Sequence, residues 1–180
     1  CLSAAFGIEM IRPLFKGGYR SWIHTRTNLV FLGTLIIINV IFGLMTLGLF
    51  AWIEATGWGL LNQVEWPLWL ELLAAVMALD FIAQYLSHLF VHRVKIFCRI
   101  HLVHHSDTHV DATTGTRLHP LDFIARESFA VLAIIIMGAP IGFYLFYRIL
   151  TVAFTYFNHS NVRLPLSVDK AISLLIISPN

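Results

Sequence analysis

The sequence predicts an all-α fold: an integral membrane helical bundle of about four membrane-embedded helices, with a cytoplasmic histidine-rich helical cap. Three observations predict this fold class. Hydrophobic residues make up 58% of the 180 residues and charged residues only 12%, whereas a soluble domain carries about 25% charge. Two apolar stretches reach the roughly 20 residues that a membrane-spanning helix needs. Seven of the nine histidines fall between Asp80 and His119, in and directly after the second stretch.

Composition also excludes several classes of protein. The net charge is +2 and no basic run is present, so we expect no nucleic-acid partner. The two cysteines, Cys1 and Cys98, show no spacing typical of a disulfide framework or a thiolate zinc site. No internal repeat or linker is visible, so we predict a single domain over 1–180. The chain begins at Cys1 and stops at Asn180 just after an apolar run, and we expect a fragment truncated at both ends.

The N-terminal segment precedes the first span. Residues 1–11 are mostly apolar with Glu9 as the lone charge, a pattern typical either of the end of an earlier span or of an interfacial helix. A cleavable signal peptide fits less well, because the positive charges follow the apolar run instead of preceding it. Residues 12–26 form a short loop rich in basic and aromatic residues, in which we expect His24 to be an interfacial residue.

Two long apolar stretches are predicted membrane spans. Residues 29–53 and 67–91 are each long enough to cross a hydrocarbon core of about 30 Å. The loop between them, 54–65, carries two acids, no Lys and no Arg, and tryptophans cluster around it. Four Lys or Arg precede span one, and four more lie in the stretch that follows span two, up to Arg117. The positive-inside rule therefore places both the N-terminal loop and the histidine region on the cytoplasmic side.

Polar side chains follow one face of the second span. Four of them recur every four residues, which places them in one stripe on a helix: Asp80, Gln84, His88 and His92. Ionisable groups inside a span are costly and by default indicate function, although a structural polar seam between helices would produce the same stripe. The stripe ends in two histidines at i and i+4, a spacing at which one helix face can offer two nitrogens to one metal ion.

Three further histidines follow at i, i+3 and i+4, again on one helix face: His101, His104 and His105. His92 and His101 are nine residues apart, and an unbroken helix would rotate them by roughly 180°, onto opposite faces. If both sets of histidines serve one site, the helix must break or turn between Arg93 and Ile100.

The remaining chain must return its later polar residues to the cytoplasmic face. Residues 123–139 and 141–157 are apolar-rich and are separated by a Gly-Ala-Pro sequence that breaks helices, so we predict a helical hairpin that enters and leaves the membrane. Arg148 lies within the second arm and should point into the bundle or at a polar partner. Residues 168–177 are predicted to form an amphipathic interfacial helix.

The imidazoles indicate a metal centre. With many neutral imidazoles and no cysteine cluster, the candidate metals are iron, zinc, copper and nickel. A structural zinc takes four ligands, so more than four converging imidazoles suggest two metal ions. Four carboxylates are candidates to accept the far N–H of a ligating histidine: Asp80, Asp107, Asp111 and Asp122.

The order of these motifs resembles the fatty acid hydroxylase/sterol desaturase superfamily of integral membrane, non-haem di-iron oxygenases. The resemblance covers about 67–180 and consists of four segments in order: Asp80-x4-Tyr85-x2-His88-x3-His92, His101-x2-His104-His105-Ser106, Thr113-Thr114-x-Thr116-Arg117-x-His119-Pro120, and His159-Ser-Asn161-x-Arg163-Leu-Pro165. The chain departs from the family pattern at Leu86 and Leu89, where members often carry Trp and Arg. Members also have a final His-x-x-His-His box after the segment that matches 177–180.

The resemblance implies roles for individual residues. It implies six iron ligands: His88, His92, His101, His104, His105 and His159. It places Arg117 and His119 in the segment beside the site, with His119 a possible ligand or a residue behind the ligands. His109 matches no motif position, and we expect it to be a loop residue.

The activity implied by the resemblance is the oxidation of a lipid, either a sterol or a fatty acyl chain. Two iron ions would use O₂ to hydroxylate or desaturate a C–H bond, with electrons from a separate reductase, cytochrome or ferredoxin-type donor. Two other hypotheses stay open from the residues alone. One is a histidine-rich membrane metal transporter or metal-binding protein without oxygenase activity, although transporter ligands are expected near mid-bilayer. The other is a purely structural membrane module.

Overall fold

The computed structural model describes residues 2–15 and 22–174, and its regular structure in these ranges is entirely helical, with no β-strand among them. Its α-helices are α1 Leu2–Ile11, α2 Trp22–Thr56, α3 Leu68–Leu79, α4 Ser87–Arg93, α5 Lys95–His105, α6 Pro120–Met137, α7 Ile141–Asn158 and α8 Leu166–Ile172. Two 3-10 turns, Leu60–Gln63 and Ala112–Thr116, and a π-helical segment, Asp80–Leu86, complete the described chain. Part of the basic loop, 16–21, and the end of the predicted interfacial helix, 175–177, lie outside the described residues.

The predicted all-α class is confirmed, and both predicted spans are long apolar helices. Two helical stretches in the described residues are long and apolar enough to cross a membrane, Ile23–Gln63 with 41 residues and Leu68–Arg93 with 26. The second is continuous through the π-helical segment, because Leu79 and Ser87 at its ends both keep helical dihedral angles. Many large hydrophobic side chains of α2 remain exposed, Ile37, Leu44 and Met45 among them, as expected for a surface that contacts lipid.

The predicted helical hairpin is present as α6 and α7. Each has 18 residues, or about 27 Å of helix. Gly138 ends α6 in the left-handed conformation, with φ of 62°, and Pro140 precedes α7, so the Gly-Ala-Pro sequence stops one helix and starts the next. The interfacial helix predicted at 168–177 begins slightly earlier, at Leu166.

The turn between α6 and α7 packs against the loop between the two spans. The indole N–H of Trp58 donates to the carbonyl of Ile135 at 2.9 Å, and the Asn62 amide donates to the carbonyl of Gly138 at 3.1 Å. Gly59 lies so close to Gly138 that a Cβ on Gly59 would stand 2.3 Å from the Gly138 Cα. These contacts place both turns at one end of the bundle, so the four long helical stretches run up and down.

Small residues allow these stretches to pack closely. Ala83, Ala130 and Ala133 lie in the buried core between the second span and α6, together with Leu79 and Ile134. Ala133, Leu79 and Ile134 are fully buried. Small side chains at helix contacts let backbones approach, which is the main source of helix association in a membrane.

The helix break predicted between Arg93 and Ile100 is present at one residue. Val94 has an extended conformation, with φ of −87° and ψ of 112°, between the end of α4 and the start of α5. Neither glycine nor proline is needed, because these dihedral angles are open to any L-residue. The break folds α5 back against α4, so the histidines of both helices can face each other.

A charged network crosses the middle of the bundle. Arg148 of α7 donates to the Glu127 carboxylate of α6 at 2.7 Å and to the Asn39 side-chain carbonyl of α2 at 2.6 Å. The Glu127 side chain is 5% exposed. Arg148 therefore points into the bundle, as predicted, and links three helices through one guanidinium.

From this network we predict that removing the Arg148 guanidinium strongly lowers the stability of the protein. We expect Arg148→Met to lower the free energy of unfolding by about 3–5 kcal/mol, because the Glu127 carboxylate would stay buried without its partner. The double variant R148M/E127M should recover most of that loss, since it removes both charges. Unfolding of the protein in detergent, with the exposed Arg93→Met as the control, measures the effect. Equal stability of R148M and R93M would contradict it.

Candidate metal centre

Six imidazoles from three elements meet at the end of the bundle opposite the Trp58 turn. The second span contributes two from α4, α5 contributes three, and one follows the end of α7: His88, His92, His101, His104, His105 and His159. Neighbouring ring centroids lie 4.6–5.5 Å apart, so the six rings form one connected group. The structure thus brings together the whole predicted ligand set that the chain contains.

The rings meet through their Nε2 atoms in three pairs. The Nε2–Nε2 distances are 3.0 Å for His88 and His92, 3.2 Å for His101 and His105, and 3.3 Å for His104 and His159. In addition, one nitrogen from each of His88, His92 and His101 lies within 4.8 Å of the others. Metal–nitrogen bonds of about 2.1 Å would separate neighbouring donor atoms by about 3.0–3.4 Å. The spacing in each pair therefore matches two ligands of one metal ion.

Hydrogen bonds to Nδ1 orient three of these rings. The buried Asp122 carboxylate accepts from Nδ1 of His101 at 2.6 Å. The Arg117 carbonyl accepts from Nδ1 of His104 at 3.3 Å, and the Thr155 carbonyl accepts from Nδ1 of His159 at 2.8 Å. A proton on Nδ1 leaves a lone pair on Nε2 of a neutral ring, the tautomer with which most such histidines bind metals.

The pair of His104 and His159 is the most informative. Both Nε2 atoms carry lone pairs when both Nδ1–H groups donate, and these lone pairs face each other at 3.3 Å. Burial, together with the positive charge that His159 and His101 would carry, lowers the pKa of His104 to about 3. A proton between the two nitrogens is therefore unfavourable at neutral pH, and a metal cation satisfies both lone pairs. The donor set and its orientation fit a bound metal.

His105 is also favoured in its neutral form. Burial is the main cause of its lowered pKa, and the neighbouring His101 and His92 add to the effect, while Asp122 opposes it. Neutral imidazole is the form that ligates a metal. The two α5 histidines with lowered pKa values can therefore bind a cation without first losing a proton.

His88 has a different environment from the other rings. The Arg126 guanidinium donates to His88 Nδ1 at 3.0 Å and also, through Nε, to the Asp122 carboxylate at 3.0 Å. A guanidinium has no acceptor, so the His88 proton lies on Nε2 in this arrangement and points at His92. Binding of a metal at His88 Nε2 therefore requires that Arg126 leaves Nδ1.

Arg117 holds the C-terminal end of α5. Its guanidinium donates to the Val103 carbonyl at 3.0 Å, to the Ser106 hydroxyl at 3.1 Å and to the Asn28 side chain at 3.2 Å. The carbonyl of a residue in the last turn of a helix has no partner within the helix, and Arg117 supplies one. It thus lies beside the site, where the resemblance placed it.

Several predicted residues lie outside the group of imidazoles. His119 caps α6, where its Nδ1 accepts from the Leu121 N–H, and His109 lies in an exposed loop as predicted. Asp80 is exposed in the π-helical segment, more than a turn from the imidazoles. Asp107 and Asp111 each lie 3.2 Å from a different ring nitrogen of His24, so of the four candidate carboxylates only Asp122 contacts a ligand candidate.

His24 itself has a more specific place than the interfacial one that we expected. Its side chain is 11% exposed and lies between the Asp107 and Asp111 carboxylates. Asn28, one turn further along α2, donates to Thr113 of the Ala112–Thr116 turn at 2.9 Å. The start of the first span is therefore tied to the loop that follows α5.

Glu9 is a residue that sequence reasoning missed. It is fully buried, and its Oε1 accepts from the backbone N–H of Ala112 at 2.9 Å and of Asn161 at 2.7 Å. It thus joins the turn beside the site to the segment that follows His159. A single acid in an otherwise apolar N-terminal helix was the only sequence signal, since a buried carboxylate must have partners.

Gly115 was also missed. A Cβ at this position would stand 2.8 Å from the Thr155 Cγ2 and 3.5 Å from the His159 Nδ1. Only glycine allows the Ala112–Thr116 turn to lie directly against the end of α7. A glycine flanked by threonines carries no such signal in the sequence alone.

The hydrogen bond between Asp122 and His101 leads to a prediction about the strength of metal binding. We expect Asp122→Ala to weaken the binding of Fe²⁺ or Co²⁺ by about 10–100-fold, because His101 would lose the partner that orients its ring. Metal titration of the apoprotein measures this, with Glu54→Ala, an exposed acid at the opposite end, as the control. Unchanged affinity in D122A would show that the carboxylate does not support a ligand.

The two hydrogen bonds that Glu9 accepts lead to a prediction about the stability of the segments around Ala112 and Asn161. Glu9→Ala should leave two N–H groups without an acceptor, at a cost of roughly 1–3 kcal/mol each, whereas Glu9→Gln keeps the Oε1 acceptor. Hydrogen exchange of 112–116 and 159–161, together with unfolding in detergent, measures both variants. We expect faster exchange in E9A only; equal exchange in E9A and E9Q would be evidence against this role.

Comparisons with known proteins place the chain in a family. A search of curated proteins found no match, and a search of solved structures found none either. The family model described as fatty acid hydroxylase matches residues 72–179, which is more than half of the chain. The matched segment contains all six imidazoles of the candidate centre. The chain therefore belongs to the fatty acid hydroxylase family.

Proposed function

We propose that this protein is an iron-dependent, O₂-using oxidoreductase that hydroxylates or desaturates a C–H bond of a lipid, either a sterol or a fatty acyl chain. The observation that carries the proposal is the facing pair of His104 and His159, whose lone pairs need a cation between them. Family membership supports the lipid substrate and the type of reaction. Imidazole donors suit iron among the first-row metals.

We propose six ligands for two iron ions: His88, His92, His101, His104, His105 and His159. Six imidazoles exceed the four donors of a closed tetrahedral site, and three Nε2 pairs provide for more than one ion. The Asp122 carboxylate accepts a hydrogen bond from the Nδ1 of His101, and the Arg117 carbonyl accepts one from the Nδ1 of His104. We propose that His119 and Asp80 support the centre without lying beside it. His119 would do so by capping α6, and Asp80 as part of the polar stripe of the second span.

When bound, the iron pair supplies the activation of O₂ and the removal of hydrogen from an unactivated C–H bond. The chain contributes orientation, since Asp122 and the carbonyls of Arg117 and Thr155 fix the ring positions. We propose that the lipid reaches the imidazoles from the bilayer along the apolar helices, which would keep water away from it. No side chain is assigned as a general acid or base.

We further propose four membrane crossings within one domain, with the imidazoles on the cytoplasmic side. The contacts of the α6–α7 turn with the loop after α2 support a hairpin that runs the depth of both spans. The exposed acids Glu54 and Glu65 lie at the turn end, and the exposed Arg93, Lys95 and Arg99 lie at the imidazole end. That distribution agrees with the positive-inside rule.

The electron donor is proposed to be a separate reductase, cytochrome or ferredoxin-type protein. His92 and His105 are exposed at the end of the bundle, so a soluble protein can approach the centre without entering the membrane. The alternative of a metal transporter predicts ligands near mid-bilayer. The clustering of the imidazoles at one end of the helices favours the oxygenase.

Iron content and product formation test the proposal together. We expect the purified full-length protein to bind two iron ions and to convert a lipid to a hydroxylated or desaturated product only with O₂ and a reductant. H104A and H159A should each lose iron and reduce product formation at least 100-fold, because each removes a ligand, while H109A should match the wild type. Mass spectrometry of lipid products and metal analysis provide the measurements.

Two outcomes would contradict the proposal. Absence of bound iron in the wild type would contradict the proposed metal centre. Two bound irons without O₂ consumption on any sterol or acyl lipid would instead favour a metal-binding or metal-transporting protein. Transport of Fe²⁺ into sealed vesicles would then distinguish those two.

A further inference from the structure

A groove lies where the segment before the first span meets the segment after His159. Pro13 and Val162 form an isolated antiparallel bridge, and the Arg163 N–H donates to the Arg12 carbonyl at 2.9 Å. The groove measures about 710 Å³. Its lining combines two basic and several apolar residues, chiefly Arg12, Arg163, Leu14, Leu164, Pro165 and Leu166.

The bridge places two positive charges opposite each other. Arg12 precedes Pro13 and Arg163 follows Val162, so the two arginines lie opposite each other on the facing segments, and both are exposed. Like charges directly opposite on paired segments are destabilising. Within the described part of the chain, neither guanidinium forms an ion pair or a side-chain hydrogen bond. A bound anion would remove the repulsion, and paired guanidinium groups match phosphate oxygens in a bidentate manner.

The apolar lining and the position of the groove identify the kind of anion. The groove lies at the end of the bundle that carries the imidazoles, because Arg163 is four residues beyond His159. Leu14, Leu164 and Leu166 line it next to the two arginines. A free inorganic anion would gain nothing from these leucines, whereas an amphiphile buries its hydrocarbon against them. Membrane phospholipids combine a phosphate with an adjoining apolar part, and the proposed membrane position of this end of the bundle would bring them to the groove.

We propose that this groove binds a membrane phospholipid, with the phosphate between Arg12 and Arg163 and the upper acyl region against the leucines. The site is separate from the imidazoles and does not depend on metal. Its two halves come from the two ends of the described chain, so a bound lipid would also hold the N-terminal segment against the segment after His159.

Lipid binding to the full-length protein in detergent tests the proposal by native mass spectrometry. The probes are phosphatidylglycerol, diacylglycerol with the same acyl chains, and inorganic phosphate. We expect one retained phosphatidylglycerol, at least tenfold weaker binding of diacylglycerol and of phosphate, and at least tenfold weaker phosphatidylglycerol binding in R12Q/R163Q. The control R93Q/R99Q removes two exposed arginines from the same end of the bundle and should bind phosphatidylglycerol like the wild type.

Several results would overturn the proposal. Equal binding of phosphatidylglycerol and diacylglycerol would show that the phosphate is not recognised. Equal binding of inorganic phosphate would show a free-anion site in place of a lipid site. An equal loss in R93Q/R99Q would indicate a general effect of surface charge. If R12Q/R163Q fails to fold, the single variant R163Q replaces it, because the bridge uses backbone atoms and should survive this substitution. Unchanged phosphatidylglycerol binding in R163Q would contradict the proposal.

Discussion

The hydrogen bond between His101 and Asp122 joins the two halves of the candidate centre, and much of the surrounding structure depends on it. Both residues are almost completely buried, with 1% and 0% exposure. The carboxylate of Asp122 also accepts from Arg126, which reaches His88 on the second span. One carboxylate therefore connects α5, α6 and α4. Without the partner on α6, a buried imidazole and a buried carboxylate would each be costly, so α5 must stay docked against the hairpin.

The bundle separates two kinds of contact along its length. At the turn end and in the middle, apolar residues pack through alanines, and the buried Glu127 is paired with Arg148, which also contacts Asn39. At the other end, imidazoles, threonines and buried carboxylates form a continuous polar region. Such a region is stable only because nearly every polar group has a defined partner. The facing Nε2 lone pairs of His104 and His159 cannot satisfy each other, so a bound cation would fit between them.

Residues that precede the family match complete this polar region. The match begins at residue 72, yet Glu9 joins the turn at 112–116 to the segment after His159. His24 and Asn28, at the start of α2, contact the loop that follows α5. The N-terminal helix and the start of α2 are therefore part of the scaffold around the imidazoles.

The sequence by itself determined the helical class, the two long apolar helices, the hairpin and the set of histidines that the fold brings together. Apolar length, charge placement and the interval between histidines are local properties, and they are visible without coordinates. It also required a break between Arg93 and Ile100, since an unbroken helix would turn the two histidine sets apart. Only the tertiary structure decided that Val94 makes the break, because an extended residue has no sequence signature. It alone selected Asp122 over Asp107, Asp111 and Asp80, and revealed Glu9 and Gly115, because those choices depend on contacts between residues far apart in the chain.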